Sequence, residues 1–186
     1  MHQLYTSLDI STLDVIEAAS TKWNFMKLTP GLVGGHCISI DPYYLMHKSA
    51  LSGYVPNIMR AARKINDEMS NWVIGNFEEY ATQNSINLGR IEITLMGYTF
   101  KENCSDTRNT KIYDLAQLMK YKGFKFRIWD PYLDNEAIEV LKKENILASK
   151  DKPKNVELAF ICVYHSEILS FLKSYNGLVY DFRNLN

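Results

Sequence analysis

The sequence predicts an α/β protein in which a helical amino-terminal segment with one long helix precedes a parallel-sheet domain. Three observations carry that expectation. Apolar residues recur at helical spacing before Asn87, whereas after it short strand-like runs alternate with helical patterns, the sign of a parallel sheet with helices on its faces. The chain of 186 residues, 46% hydrophobic and 23% charged, has the makeup of a globular protein of one or two domains rather than of a disordered one. The expected division is 1–86 for the helical region and 87–186 for the sheet domain.

Ser11 or Thr12 can cap a short helix through Ala19, because Leu13, Ile16 and Ala19 share one face and Asp14 sits in the first turn. It stops near Trp23. Between Pro30 and Pro42 the glycines Gly31, Gly34 and Gly35 argue for a shaped loop and against a long regular element. After Pro56, apolar side chains at Ile58, Ala62, Ile65, Met69, Val73 and Tyr80 mark one face of a helix of about 25 residues, close to 40 Å long. Such a helix outlasts one small core, so part of its apolar stripe, Trp72 and Phe77 included, is expected to meet a second helix or a second subunit. It reads as a linker and dimer seam.

Beyond Asn87 the order is a strand over Ile91 to Met96, a helix over Thr110 to Lys122 closed by Gly123, and a strand over Phe124 to Trp129. A helix from Asn135 to Lys143, a strand from Glu157 to Val163, a helix near Glu167 to Tyr175 and a strand from Leu178 to Phe182 continue the alternation.

Composition excludes several classes of function. The 21 basic and 21 acidic residues cancel, so neither a nucleic-acid surface nor a polybasic membrane anchor is indicated. The longest apolar runs, such as Leu158 to Val163, fall far short of the roughly 20 residues that span a bilayer. Met1 to Asp9 has no secretory-signal pattern, and a cytoplasmic location is expected. Cys37, Cys104 and Cys162 are too scattered for a disulfide framework and lack the spacing of a zinc site.

The turn after the first strand is where an open α/β sheet usually holds phosphates. After Gly97 it runs Tyr-Thr-Phe-Lys-Glu-Asn-Cys-Ser-Asp-Thr-Arg-Asn-Thr-Lys, without the G-x-G-x-x-G of a dinucleotide loop. It offers Lys101, Arg108 and Lys111 with Thr99, Thr107 and Thr110, donors suited to a diphosphate. The same residues also suit a solvated loop in which Asp106 pairs Arg108 and Thr110 caps the helix. Cys37, beside His36 and behind two glycines, fits either a nucleophile with ligand-approachable backbone or a small cysteine in a tight turn. His36, Cys37, Asp41 and His47 lack metal-ligand spacing, so no metal is expected. Cys162 reads as core, Cys104 as a loop thiol, and His165 as either a ligand-side or a packing residue at a strand end.

At Pro30 to Leu45, PGLVGGHCISIDPYYL, the chain closely resembles the catalytic cysteine loop of the nucleotide-sugar 6-dehydrogenases, the UDP-glucose and GDP-mannose dehydrogenase family. Ala62 to Met69 (ARKINDEM) resembles the family's central helix, and Gly97 to Thr110 (GYTFKENCSDTRNT) the start of its carboxy-terminal domain. The wording is most like the bacterial branch that oxidises UDP-N-acetylhexosamines to uronic acids for surface polysaccharides. It departs from that branch in Ala62-Arg63-Lys64, where G-R-R is usual, and in Asp181-Phe-Arg, where Asp-Val-Lys is frequent.

The resemblance implies a Rossmann-like carboxy-terminal domain that binds a UDP-sugar, and a homodimer. In the family two hydrides pass from the sugar C6 to two NAD molecules while the cysteine holds a thiohemiacetal and then a thioester. Carried over, Cys37 is the nucleophile and Asp41 positions or deprotonates the water. Gly34 and Gly35 shape the substrate side of that loop. Lys101, Arg108 and Arg183 contact the nucleotide-sugar, and Arg63 reaches the partner subunit's site. The family's amino-terminal NAD domain, with its active-site lysine and asparagine, has no counterpart in these residues. The chain is therefore expected to be the substrate-binding and dimerising portion of such an enzyme, inactive alone, its NAD domain contributed elsewhere or as a separate chain. The alternative is a non-catalytic nucleotide-sugar-binding or regulatory module.

Overall fold

The computed structural model describes residues 1–183. Positions 184–186, the last three of the expected sheet domain, lie outside the described residues. The chain forms two compact units, Met1–Gly31 with the segment from Asp181 onward, and Leu32–Tyr180.

The first unit holds α1 (His2–Ser7) and α2 (Thr12–Ser20). Ser11 caps α2 by accepting from Asp14 N–H, as its sequence indicates. His2 is buried, with Nε2 2.7 Å from the Phe182 carbonyl and Nδ1 2.7 Å from Thr12 Oγ1. A carbonyl can only accept, so the ring proton sits on Nε2 and the Thr12 hydroxyl donates to Nδ1. Burial pushes the His2 imidazole below its ordinary value.

The second unit opens with α3 (Cys37–Leu51) and α4 (Asn57–Gln83). Here the expected shaped loop is shorter than predicted: it ends at His36, and a 15-residue helix runs straight through Pro42. A proline's fixed φ is compatible with helix, and at this position it removes only one rung of the ladder near the helix start. Helix α4 is 27 residues long but buries Met69, Ser70, Val73, Ile74, Phe77 and Ala81, none of them earlier than Met69. Phe77 is thus corrected from surplus stripe to core: its ring lies edge-on to Phe160 at 5.0 Å and tilts against Tyr180 at 4.9 Å. Trp72 is half-buried, and the surplus lies earlier, with Ile58 87% and Ile65 56% exposed.

The sheet follows with β1 (Glu92–Met96), α5 (Lys111–Tyr121), β2 (Lys125–Trp129), α6 (Asn135–Lys143), β3 (Leu147–Ser149), β4 (Leu158–Ile161), α7 (Ser166–Leu172) and β5 (Leu178–Asp181). Strand order is β3-β2-β1-β4-β5, with β1 parallel to both β2 and β4 in the register Ile93↔Phe126 and Ile93↔Leu158. β1 and β4 are buried almost throughout, as strands covered on both faces must be. The order reverses at β1, which opens the switch-point crevice beyond the carboxyl ends of β1 and β4. The loops bearing Lys101, Arg108 and His165 leave the sheet there.

Candidate active site

Cys37 is exposed and is the first residue of α3, whose cap position, His36, makes no side-chain capping bond. The first-turn N–H groups therefore have no side chain in place at His36 to accept from them. Asp41, four residues on along the same helix, shares the face of Cys37.

The two glycines before the cysteine are buried against the turn after β1. A Cβ on Gly34 would stand 2.6 Å from the Asn109 carbonyl oxygen and 3.2 Å from Thr110 Cα. Gly35 has φ of 91°, and a Cβ there would meet the Phe100 ring at 3.1 Å. Only glycines let the cysteine loop lie this close to the β1–α5 turn.

In that turn Arg108 grips Asp106, with Nε 3.0 Å from Oδ1 and Nη2 2.6 Å from Oδ2. Those bonds pull the Asp106 carboxyl down to about 2. The Arg108 guanidinium is held above its ordinary value, chiefly by its hydrogen bonds to Asp106, and Cys37 and Cys104 lie near it. Lys101 lies over the Phe100 ring at 5.5 Å, the same ring that receives Gly35. Thr110 caps α5 by accepting from Ile112 N–H at 3.2 Å, while its hydroxyl donates to the Tyr98 carbonyl at 2.6 Å. Lys111, counted as a phosphate donor from sequence, is drawn instead to Asp114 at 2.9 Å and Asp67 at 3.4 Å.

Sequence reasoning left His165 open and missed Asp130 as its partner. Both are wholly buried at the switch point. Asn103 N–H donates to His165 Nδ1 at 2.9 Å, which assigns the ring proton to Nε2, 3.0 Å from both Asp130 Oδ2 and Thr99 Oγ1. Asp130 also accepts from the N–H groups of Tyr98 (2.6 Å), Thr99 (2.9 Å) and Tyr132 (2.7 Å). Burial pushes the Asp130 carboxyl up, but His165 and the backbone donors outweigh it and hold it below its ordinary value. Asn103 Oδ1 then accepts from Ser166 N–H at 2.9 Å, tying the turn to the start of α7. The only sequence signal was the Asp-Pro pair closing β2.

At the turn after β1, where a dinucleotide loop would carry further glycines, Thr99, Asp130 and His165 are bonded to one another instead. Among the described residues no group of three or more His, Cys, Asp or Glu side chains is placed to hold a metal ion. No helix among them is long and apolar enough to cross a membrane.

Of the remaining expected residues, Arg63 on α4 donates Nη1 to the Ile38 carbonyl at 2.8 Å. Asn66, one turn later, donates to the Val33 carbonyl at 3.2 Å, and the Tyr43 hydroxyl donates to Asp67. Gly34, Gly35, Cys37, Asp41, Arg63, Lys101 and Arg108 all belong to the second unit. Arg183 belongs to the first, 8% exposed, with its N–H on Asp181 Oδ1 at 3.0 Å and its guanidinium 5.9 Å from the Phe182 ring.

Residues 1–68 match the central domain of the UDP-glucose/GDP-mannose dehydrogenase family, and residues 94–186 match the UDP binding domain of the same family. A UDP-N-acetyl-D-glucosamine 6-dehydrogenase of Salmonella typhi is 40% identical over 165 residues, covering 88% of this chain and 38% of the relative. One of Pseudomonas aeruginosa is 42% identical over 133 residues, covering 72% and 32%. The chain thus spans about two-fifths or less of the curated relatives it matches. Among solved structures, a UDP-glucose dehydrogenase from the archaeon Pyrobaculum islandicum superposes with a TM-score of 0.81 at 22% identity, over 97% of this chain and 42% of that one, a likeness of fold. With both of its segments matched in order, the chain belongs to the UDP-glucose/GDP-mannose dehydrogenase family.

Proposed function

We propose that this chain is the substrate-binding and dimerising portion of an NAD-dependent UDP-sugar 6-dehydrogenase, in which 1–86 forms the central region and 87–186 the UDP-sugar-binding domain. The uronic acid it helps to make would serve surface polysaccharide. The observation that carries this reading is the seating of Gly34 and Gly35 on Phe100 and Asn109, which sets Cys37 at a helix start beside Arg108. A nucleophilic thiol and a guanidinium that can bind a phosphate, near one another, support this reading.

Cys37 adds its thiolate to the aldehyde carbon at C6 of the sugar, forming a C–S bond. Once the hydride that takes this carbon to the oxidation level of a thioester has passed to NAD held by a further domain, Asp41 orients a water whose attack expels the thiolate and releases the acid. Lys101 and Arg108 supply positive charge to the diphosphate, and Gly34 and Gly35 let the substrate lie against backbone. NAD belongs mainly to a domain outside these residues, a reading supported by the turn after β1, which lacks the glycines of a dinucleotide loop.

NADH absorbance tests the reading. The chain alone, given UDP-N-acetylhexosamines and NAD, is expected to be silent. Adding the NAD-binding domain of a relative is expected to restore turnover, and Cys37→Ser to abolish it. Turnover by the chain alone contradicts the proposal. UDP binding with no turnover in any pairing favours instead a non-catalytic nucleotide-sugar-binding module.

A further inference from the structure

Helix α3 contains one internal proline, Pro42, and it stands four residues after Ile38. An α-helix pairs the N–H of each residue with the carbonyl four residues before it, and proline has no N–H. The Ile38 carbonyl, next to Cys37, is therefore the one rung that α3 cannot close with its own backbone. The structure puts Arg63 Nη1 on that oxygen at 2.8 Å. Asn66, three residues later on the same face of α4, donates to the Val33 carbonyl at 3.2 Å, and Asp67 accepts from Tyr43. The ARKIND segment thus holds backbone on both sides of the cysteine, four residues before it and one after.

We infer that Arg63 is a positioning residue for Cys37: it supplies the hydrogen bond that Pro42 withholds from Ile38 and so fixes the first turn of α3 under the thiol. This rests on the reading of Cys37 as nucleophile and gives Arg63 a role within its own chain. A guanidinium suits the task, because its planar fork is always charged and reaches a carbonyl along one defined edge. A first turn held in place keeps the sulfur at one position, and a frayed one does not. The proline also makes the inference separable from simple charge. Replacing Pro42 by alanine gives the helix its own donor to Ile38, so Arg63 becomes dispensable for the backbone while its charge near the thiol stays the same.

The experiment is the rate of Cys37 alkylation by iodoacetamide, read by mass spectrometry of the Cys37 peptide across pH. It compares the full chain with Arg63→Ala, Pro42→Ala and the double variant, Arg108 unchanged in all four. Arg63→Ala is expected to slow alkylation near neutral pH by about fivefold and to move its pH profile upward. Pro42→Ala is expected to react like the wild type, and the double variant to stay within about twofold of Pro42→Ala. If Arg63→Ala does not fold, Arg63→Gln, too short to reach Ile38, carries the same comparison in both backgrounds. Equal losses with and without Pro42 mean that only charge was removed and overturn the positioning role. Equal rates in all four proteins overturn it as well. A wild-type Cys37 no faster than an unstructured cysteine peptide contradicts the nucleophile reading itself, and this inference with it.

Discussion

Cys37 owes its setting to residues far from it in sequence: Phe100 and Asn109 receive the glycines before it, Arg108 brings positive charge, and Arg63 holds the carbonyl after it. Arg108 is not loose in solvent, since Asp106 aligns it, and with Asp106 pulled down to about 2 that alignment outlasts most acid conditions. The turn bearing both is anchored in turn by Asp130 and His165. Removing the Asp130 charge leaves three backbone donors and a histidine facing a weaker acceptor, at a cost of about 2–4 kcal/mol. Asp130→Asn should therefore lower the urea midpoint markedly at pH 7. Its sign with pH follows from the direction of the shift: a carboxyl held below its ordinary value adds stability above that value and loses it as pH falls through the folded-state pKa. The wild type should lose its advantage over Asp130→Asn as the pH drops from about 5 toward 2. An advantage independent of pH over that window would contradict the ionised network.

At the scale of elements, helix starts are where sequence and structure agree best. Ser11, Thr110 and Asp134 each accept from a first-turn N–H, and α6 keeps its expected bounds of Asn135–Lys143. Caps are local chemistry and can be read locally. Helix α3 could not be read in that way, because two prolines and three glycines suggest loop and its support comes from Arg63 and Asn66, which no local pattern reveals. Strand β3, three residues long, and helix α1 have too little periodicity to register. The site divides along the same line: the cysteine loop and the cations were legible from their motif, while the Asp130–His165 bond joins residues 35 apart and needed the sheet to bring them together. Helix α4 has two characters along its length, and one comparison separates them. Phe77→Ala, in the core with Phe160 and Tyr180, is expected to cost about 3–5 kcal/mol by urea unfolding. Ile58→Ala, at an exposed position, is expected to cost under about 0.5 kcal/mol under dilute conditions. Similar costs at the two sites would mean that the first half of α4 is also core.

For the molecule as a whole, exposed apolar residues lie in two stretches, one before Gly31 that includes Leu8, Trp23 and Met26, and one on α3 and the first half of α4 that includes Ile38, Tyr44, Leu45, Ile58 and Ile65. Between α3 and α4 a cavity of about 590 Å³ has apolar lining, Met46, Tyr54 and Val55 among it, beside the charged Arg60, Lys64 and Glu68. The exposed apolar side chains of these two helices support the proposed homodimer. Sedimentation should show a dimer at tens of micromolar, and Ile58→Arg with Ile65→Arg a monomer of nearly unchanged stability; a monomeric wild type would count against the seam. The central claim, that these residues hold a nucleotide-sugar, is tested most directly by calorimetric titration of the chain with UDP. Saturable binding is expected, weakened about tenfold or more by Arg108→Ala, since a charged hydrogen bond to phosphate contributes roughly 1.5–3 kcal/mol. No heat from the wild type, or equal affinity in wild type and Arg108→Ala, would contradict it.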